Sequence, residues 1–548
     1  MAELSAAPQM RWWGWGDPEH PAALPAHALG FLRETVGVAE RPSPPVALEH
    51  VRLDPPTLPE DLLAKLRAIL GSDGVQDSHV ARVLHAAGKG YPDLVRMRAG
   101  EPEGAPDAVL YPSDHEQLRA VLALCGRSSL AVVPFGGGTS VVGGVAPLRG
   151  EHSGVVALDM ARMGEVLELD RDSATVTVQG GMRAPALERH LAARGLTLGH
   201  FPQSFEYVSL GGCAATRSAG QASTGYGSIE KLVLGLRVAA PKCDIELPAV
   251  PASAAGPGLR QLLVGSEGTL GVISEVALRV RPAPTERIYE GVFFEDFLAG
   301  TQALRTLARE HVLPDVTRLS DEQETRMSLA LAGTGGLKGR LGRAYLSARG
   351  YAGGCLAIVG VEGSPADVAN RRGRALELAR SSGGLAVGRS PGAAWRHSRF
   401  AGPYLRDELL TLGVMVETLE TATQWSNIAR LHRQVADAIA RALESHGTPG
   451  LVMCHVSHVY ETGASLYFTF IARQSEDDPI GQWRAVKHAA GDAIVDGGGT
   501  ITHHHAVGRD HMGWMSREIG EGGLDALRAV KAELDPAGIM NPGKLLAL

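Results

Sequence analysis

Three consecutive glycines, Gly136 to Gly138, follow an apolar run, Leu130 to Val133, that predicts a buried strand. Glycine permits positive φ and lets a ligand approach the backbone amides closely. Successive amide N–H groups around such a loop form a concave site for an anion such as a pyrophosphate. Thr139 and Ser140 add hydroxyl donors. A tight surface turn is the alternative interpretation.

Further glycine-rich segments favour the binding interpretation. They are Gly211-Gly212, Gly220 and Gly265 to Gly271, and the polar segment Pro202 to Ser209 precedes them. No Gly-x-Gly-x-x-Gly lies between a strand and a helix with a distant acidic partner. We therefore do not expect a dinucleotide-binding Rossmann unit.

Composition limits the classes of protein that fit. A chain of 548 residues is too long for one hydrophobic core, so we expect two or three domains. The hydrophobic content of 44% and the charged content of 21% are those of an ordinary soluble protein. The net charge is −7 and no basic block appears, so nucleic acid is not an expected partner. No apolar run approaches the ~20 residues that span a bilayer.

The cysteines and the termini predict the compartment. There are five cysteines, an odd number without a Cys-x-x-Cys pair, so we expect neither a disulfide framework nor a zinc ribbon. The N-terminus carries Trp12, Trp13 and Trp15 instead of a basic-then-apolar leader, and the C-terminus is not a Ser-Lys-Leu address. We therefore expect a cytoplasmic protein.

The order of predicted elements divides the chain into four regions and favours an α+β fold. Residues 1–103 form an N-terminal extension that packs on the body, and residues 104–284 form a first domain of mixed strands and helices. Residues 285–500 form a second, α/β domain that caps the first. Residues 501–548 return to the site of the first domain.

Local patterns give individual elements. Val166–Asp170 and Ala174–Gln179 alternate with period two around turn residues, which predicts a hairpin. Asp114–Cys125 predicts a helix with Ser113 as its N-cap. Trp425–Ser445 predicts a long helix, and Ala464–Ile471 predicts a strand.

Two segments resemble the flavin loops of the vanillyl-alcohol oxidase / p-cresol methylhydroxylase (PCMH) superfamily. They are Pro134-Phe-Gly-Gly-Gly-Thr-Ser140 and Gly265-Ser-Glu-Gly-Thr-Leu-Gly271, and Asn541-Pro-Gly-Lys544 resembles the C-terminal signature. Within the superfamily the chain is similar to the alkyldihydroxyacetonephosphate synthases over nearly its whole length. The segments that carry this resemblance are Arg11–Gly16, His200–Ser209, Thr216-Arg217, Arg318, Tyr404–Asp407, Leu466–Phe468 and His503–Gly508.

The resemblance implies a PCMH-type FAD-binding domain and a cap domain that contacts the substrate. It implies non-covalent FAD, and the first loop carries no His or Cys that could bond the ring. Gln203 replaces an aspartate of the family, and Ser218–Gln221 replaces Ala-Ser-Gly-Met. The residues expected to bind FAD are Pro134, Phe135, Gly136, Gly137, Gly138, Thr139, Ser140, Gln203, Ser204, Phe205, Glu206, Tyr207, Val208, Ser209, Thr216, Arg217, Ser218, Ala219, Gly265, Ser266, Glu267, Gly268, Thr269, Leu270 and Gly271.

The resemblance also implies catalytic residues. Tyr467 matches the family's general acid/base, and its alternative is a core tyrosine, although its strand face is opposite to that of Leu466 and Phe468. Arg406 would clamp an anion through its rigid fork of donors, and its alternative is a solvated or capping arginine.

Arg318 would be a second site arginine, or it would pair with Asp321 or Glu322. His503, His504 and His505 would line the flavin site as donors and proton carriers. A surface or core role for at least one of them is the alternative. We expect no metal there, because three consecutive residues on one strand alternate faces and no carboxylate or cysteine is adjacent in sequence.

By this resemblance the reaction exchanges the acyl group of acyl-dihydroxyacetone phosphate for a long-chain alcohol, without net redox change. A lipid-like substrate, peripheral membrane contact and a homodimer are expected with it. One alternative is an FAD-linked 2-hydroxy acid dehydrogenase or oxidase of the D-lactate or glycolate type. A flavin-binding subunit without turnover is a weaker alternative.

Overall fold

The computed structural model describes residues 10–17, 24, 26–331 and 337–547. The strands are β1 (Val75–Gln76), β2 (Ala108–Leu110), β3 (Leu130–Phe135), β4 (Gly154–Asp159), β5 (Val166–Asp170), β6 (Thr175–Gln179), β7 (Leu196–Thr197), β8 (Val233–Ala239), β9 (Asp244–Leu247), β10 (Val272–Arg279), β11 (Arg281–Pro282), β12 (Glu286–Phe294), β13 (Val316–Ser320), β14 (Cys355–Gly363), β15 (Leu385–Gly388), β16 (Val414–Gln424), β17 (Gly450–Val459) and β18 (Gly463–Arg473).

The α-helices of the same residues lie between and beyond these strands. They are α1 (Ala26–Thr35), α2 (Glu60–Leu70), α3 (His79–Leu84), α4 (Tyr91–Ala99), α5 (His115–Arg127), α6 (Ala184–Ala192), α7 (Leu210–Ala215), α8 (Ser223–Tyr226), α9 (Ile229–Leu232), α10 (Leu259–Leu263), α11 (Phe297–Arg309), α12 (Glu322–Leu331), α13 (Leu337–Ala348), α14 (Pro365–Ser381), α15 (Arg389–Ser398), α16 (Gly402–Thr411), α17 (Ile428–Ser445), α18 (Pro479–Asp496) and α19 (Met515–Leu534).

A small, largely parallel sheet positions the triple-glycine loop. Its order is β1-β2-β4-β3, with β2, β4 and β3 parallel and β1 antiparallel. Val132 packs with α2 and α5 on one face of β3, and Ala131 and Val133 pack against Val145 on the other. The strand is therefore buried on both sides, which explains the continuous apolar run Leu130 to Val133. The loop begins where β3 ends. The C-terminal segment joins this sheet, because Met540 forms a bridge to Val132.

A second sheet follows in the order β5-β6-β10-β8-β9, and all of its pairs are antiparallel. The predicted β5–β6 hairpin is confirmed. The N-cap predicted for α5 is wrong. Asp114 caps the helix, because its carboxylate accepts from the Gln117 N–H at 2.8 Å, while the Ser113 hydroxyl donates to the Gln117 side chain.

The cap domain is built on an antiparallel sheet in the order β15-β12-β14-β13-β17-β18-β16. One face packs against α11, α14, α17 and α18 in a large apolar core. Leu466, Phe468 and Phe470 point into this core and are fully buried. Because side chains alternate along a strand, Tyr467 lies on the other face, as the sequence predicts. The α+β class is confirmed.

The N-terminal residues that the structure describes pack near α16. The Trp15 N–H donates to Asp407 Oδ2 at 2.6 Å, and Lys89 Nζ donates to the Arg11 carbonyl at 2.8 Å. Of residues 1–103, positions 1–9, 18–23 and 25 lie outside the described residues. The domain boundaries at 103/104, 284/285 and 500/501 each fall between strands and helices, and we keep them as a proposal.

None of the described helices combines the length and the apolar character that crossing a membrane requires.

Candidate active site

A cavity of about 490 Å³ lies between the loops of the first domain and the free face of the cap sheet. This is within the usual range for small-molecule sites. Every residue from Pro134 to Ser140 lines it. The predicted cofactor residues that also line it are Gln203, Ser204, Val208, Ser209, Thr216, Ser218, Ala219, Glu267, Gly268 and Gly271.

The loop takes its shape from glycine. Gly138 has φ +66°, and a Cβ there would lie 2.6 Å from the Phe135 ring. The Ser140 hydroxyl accepts from the Gly144 N–H at 2.9 Å and closes the turn. The predicted strand followed by a tight glycine turn is therefore present, with its backbone on the cavity wall.

Glu267 ties the later loop to the C-terminal segment. Its carboxylate accepts from the N–H groups of Val507 and Gly508 at 2.8 and 2.7 Å. Burial raises the pKa of this carboxyl to about 7, although the two N–H donors act in the opposite direction. The Asn541 amide donates to the Glu267 carbonyl at 2.7 Å. This network brings the Asn541-Pro-Gly-Lys544 signature to the cavity loops.

Some predicted cofactor residues do not line the cavity, and their contact with FAD stays a prediction. Phe205 packs on Phe201 and Phe400, while the Glu206 carboxylate accepts the Tyr404 hydroxyl. Arg217 pairs with Glu230 instead. The residues concerned are Phe205, Glu206, Tyr207, Arg217, Gly265, Ser266, Thr269 and Leu270.

The opposite wall comes from alternate residues of the cap strands. Tyr467 on β18 pairs in register with His455 on β17, and their rings stack at 4.8 Å between centroids. Thr469, two residues along β18, also lines the wall. Burial raises the pKa of Tyr467 to about 12, so the hydroxyl is protonated at neutral pH.

The alternative interpretation predicted that Arg318 pairs with Asp321 or Glu322. Among the described residues its carboxylate partner is Glu324 instead. It lines the cavity and donates to Glu324 Oε1 at 2.8 Å and to His455 Nε2 at 2.9 Å. Glu324 lies on α12, three residues after Asp321 and two after Glu322. His455 Nδ1 also lies 3.0 Å from Glu324 Oε1.

These contacts fix the form of His455. Its Nε2 must accept from the guanidinium, which has no acceptor atom, so its Nδ1 must donate to the carboxylate. Burial and the Arg318 charge lower the pKa of His455, which keeps the ring neutral. Arg318 is therefore engaged in holding His455 against Tyr467.

Arg406 lies on α16, which contributes another part of the cavity wall. It lines the cavity, and one of its terminal nitrogens donates to the Lys89 carbonyl at 2.8 Å. Its Nε is buried and has no hydrogen-bond partner among the described residues. Neighbouring Asp407 is engaged by Trp15 and Arg11. The guanidinium thus lines the cavity with one of its donors unpaired.

The three histidines do not form a strand, contrary to the prediction. Buried Glu420 on β16 accepts the backbone N–H groups of His503, His504 and His505, the last two at 3.0 and 2.7 Å. Burial acts to raise the pKa of Glu420, but the electrostatic effect of the three histidines, together with the His504 N–H, holds it well below its usual range. The curled backbone places His504 and His505 on the cavity wall and leaves His503 behind it.

A carboxylate therefore does neighbour the histidines in space, and a fourth histidine joins them. Suitable ring nitrogens of His458, His503 and His504 lie within 4.8 Å of one another. Both ring nitrogens of His458 have partners, Nε2 with the Gly220 carbonyl at 3.0 Å and Nδ1 with the Ser457 hydroxyl at 2.9 Å. Both nitrogens of His503 also have partners, Tyr460 and His504. The expected absence of a metal stays a prediction.

Comparison with known proteins identifies the family to which this chain belongs. Residues 106–246 match the family model "FAD binding domain", and residues 283–545 match "FAD linked oxidases, C-terminal domain". The chain is 32% identical to an alkyldihydroxyacetonephosphate synthase of Dictyostelium discoideum, over 98% of this chain and 93% of that protein. A synthase of the same name from Trypanosoma brucei brucei is 33% identical, over 98% of this chain and 92% of its own length.

The chain belongs to the alkyldihydroxyacetonephosphate synthase family. A solved structure of such a synthase superposes with a TM-score of 0.85 at 30% identity, covering 98% of this chain and 99% of the other. The protein is accordingly an FAD-linked, synthase-like enzyme. The family resemblance inferred from its glycine-rich loops is confirmed.

Several site residues of this synthase-family chain were missed by sequence reasoning. His455 and Ser457 follow the period of two that Tyr467 shows, and this signal was in the sequence. His458 lines the cavity because the pairing of β17 with β18 shifts register between Val456 and Val459. The sequence carries no signal for this shift. Glu324 and Trp15 come from distant segments.

Gly138→Ala is expected to lower FAD occupancy without unfolding the synthase. A non-glycine residue at φ +66° costs about 1–2 kcal/mol, and the added methyl also meets the Phe135 ring. We expect about tenfold weaker FAD binding in a titration of the deflavinated protein. Gly373→Ala is the matched control, because nothing lies within 4 Å of a Cβ there. Equal FAD affinity in both variants would contradict the assigned role of the loop.

Proposed function

We propose that the protein exchanges the acyl group of acyl-dihydroxyacetone phosphate for a long-chain alcohol, using FAD without net redox change. The observation that carries the proposal is the shared cavity. One wall is the glycine-rich loop, and the other presents Tyr467, Arg406, His504 and His505. The chain's similarity to the named synthases over 98% of its length supports the choice of reaction.

The residues present fit FAD. The backbone of Gly136 to Gly138 offers amides to a pyrophosphate, and Thr139, Ser140, Thr216 and Ser218 place hydroxyl groups on the same cavity. When bound, FAD would supply an electron-accepting ring for the reaction.

Tyr467 is proposed to move the proton of the substrate carbon that changes its substituent. At rest it is a phenol, because its pKa is raised by burial, so it must pass its own proton on before it acts as a base. His504 and His505 lie 5.9 and 5.5 Å away between ring centroids. Burial lowers the pKa of His504 to about 4 and also lowers that of His505, so both rings are neutral at neutral pH and each keeps one unprotonated nitrogen.

Arg406 is proposed to hold the anionic group of the substrate. Its planar fork suits phosphate or carboxylate oxygens, and its unpartnered Nε leaves it short of acceptors in the protein. Arg318 is proposed to position His455. Any contact between Arg318 and the substrate would be a second role beside this one.

The FAD is proposed to be non-covalent. Acid precipitation of the yellow protein is expected to release all of its flavin into the supernatant, because the first loop carries no His or Cys as an attachment residue. Absorbance of supernatant and pellet measures the outcome. Flavin that stays with the pellet would contradict the assignment.

The reaction is tested with ¹⁸O-labelled hexadecanol and acyl-dihydroxyacetone phosphate. If a carboxylate leaves and the alcohol enters, the ether product keeps the label and one fatty acid is released per ether formed. Mass spectrometry detects both. Labelled alcohol found only as an ester, or no ether at all, would contradict the proposed exchange.

Peripheral membrane contact has support on α13. Leu341 and Tyr345 lie one turn apart and are 62% and 46% exposed, and the basic residues Arg340 and Arg343 are on the same helix. Apolar side chains beside basic ones are typical of helices that lie on a membrane surface. A cytoplasmic location and a homodimer stay predictions, the latter to be checked by light scattering.

A further inference from the structure

We propose that His504, His503 and Tyr460 form a proton relay between the active-site cavity and the exterior of the protein. The inference rests on the proposed function, since it concerns the proton that Tyr467 removes from the substrate. His504 lines the cavity. Its Nδ1 lies 2.9 Å from Nδ1 of His503, and Nε2 of His503 lies 2.6 Å from the Tyr460 hydroxyl. The chain of hydrogen bonds is therefore continuous.

The far end of this chain reaches the protein surface. Tyr460 follows the last residue of β17 and is partly exposed. The ammonium of exposed Lys231 lies 5.7 Å from its ring centroid. Tyr460 thus connects a cavity-lining histidine with groups that meet solvent.

Each transfer in the relay balances. A proton that arrives on Nε2 of His504 displaces the Nδ1 proton of that ring to Nδ1 of His503. His503 then gives its Nε2 proton to the Tyr460 oxygen, and the Tyr460 hydroxyl releases its own proton to water. The proposed exchange removes one proton from carbon and later returns one, so the reverse passage restores every tautomer.

The surroundings keep the relay neutral and aligned. Burial lowers the pKa of His503 and of His504 to about 4, so neither ring stores the proton at neutral pH. Glu420 fixes both backbones through their N–H groups. The Gly220 carbonyl and the Ser457 hydroxyl hold His458 beside them, which leaves His504 as the ring partner of His503.

The test is the isotope content of the product formed in D₂O by the FAD-loaded enzyme with acyl-dihydroxyacetone phosphate and hexadecanol. Wild-type enzyme is expected to place deuterium on the carbon that receives the alcohol. In Tyr460→Phe the removed proton returns before it exchanges, so the deuterated fraction should fall by about tenfold. This fraction is a ratio within the product, so lower stability or a smaller amount of active enzyme does not change it.

Controls separate the relay from the proposed function. Tyr351→Phe removes a surface hydroxyl that donates to the Gly383 carbonyl, and it should match wild type. His503→Gln should lower the deuterated fraction as Tyr460→Phe does. Equal deuterium content in Tyr460→Phe and wild type would overturn the relay. So would one transition-metal ion per chain that is lost in His503→Gln. If wild-type enzyme forms no ether, the proposed function fails and the relay fails with it.

Discussion

Tyr467→Phe is expected to keep FAD bound and to lower turnover by a factor of about 10² to 10⁴, the usual contribution of a general acid or base. The hydroxyl is the group removed, while the ring that stacks on His455 stays. Neighbouring Leu466 and Phe468 hold the strand in the cap core, so the fold should not change. Turnover per bound flavin, measured by ether formation, gives the effect.

Tyr351→Phe is the matched control for this variant, because the Tyr351 hydroxyl donates to the Gly383 carbonyl outside the cavity. The control should keep wild-type turnover per flavin. Near-normal turnover in Tyr467→Phe would return Tyr467 to a packing role. Loss of flavin from Tyr467→Phe would make the residue part of the cofactor site instead.

Arg406→Ala is expected to weaken substrate binding by about 1.5–3 kcal/mol, the range for hydrogen bonds to charged groups. This corresponds to a rise in KM of about ten- to hundredfold. Arg406→Lys should fail to restore KM, because an ammonium lacks the planar fork. Flavin content should stay unchanged, since Arg406 lies on α16, outside the glycine-rich loops.

Steady-state kinetics of both variants, with flavin occupancy and melting temperature, measure this prediction. Arg528→Ala is the control, because Arg528 forms an exposed pair with Asp525 on α19. Wild-type kinetics in both Arg406 variants would move the anion clamp elsewhere. Early melting of both would show that the contact with the Lys89 carbonyl makes Arg406 structural.

The parts of the fold that the sequence predicted depend on short-range patterns. The β5–β6 hairpin and the opposite faces of Tyr467 and Phe468 follow from a period of two, which local backbone geometry imposes. The triple-glycine turn after β3 depends equally on adjacent residues. The family resemblance extended the prediction of the fold from these local segments to the whole chain.

The missed parts depend on contacts between distant segments. Glu420 lies more than eighty residues before His503, yet its carboxylate accepts hydrogen bonds from the backbone N–H groups of all three histidines. In a strand, these N–H groups would have donated to a neighbouring strand instead. The placement of His458 needs a local register shift. One nearby contact was missed as well: the partner of Arg318 is Glu324, because the turn from β13 into α12 brings this carboxylate to the guanidinium.

Anaerobic mixing of the FAD-loaded enzyme with its candidate substrates tests the central claim most directly. The account predicts that D-lactate and glycolate leave the flavin absorbance unchanged. It also predicts that acyl-dihydroxyacetone phosphate with hexadecanol gives ether and free fatty acid in equal amounts, with all flavin oxidised at the end. Bleaching of the flavin by either hydroxy acid, together with no ether product, would contradict it and identify a dehydrogenase.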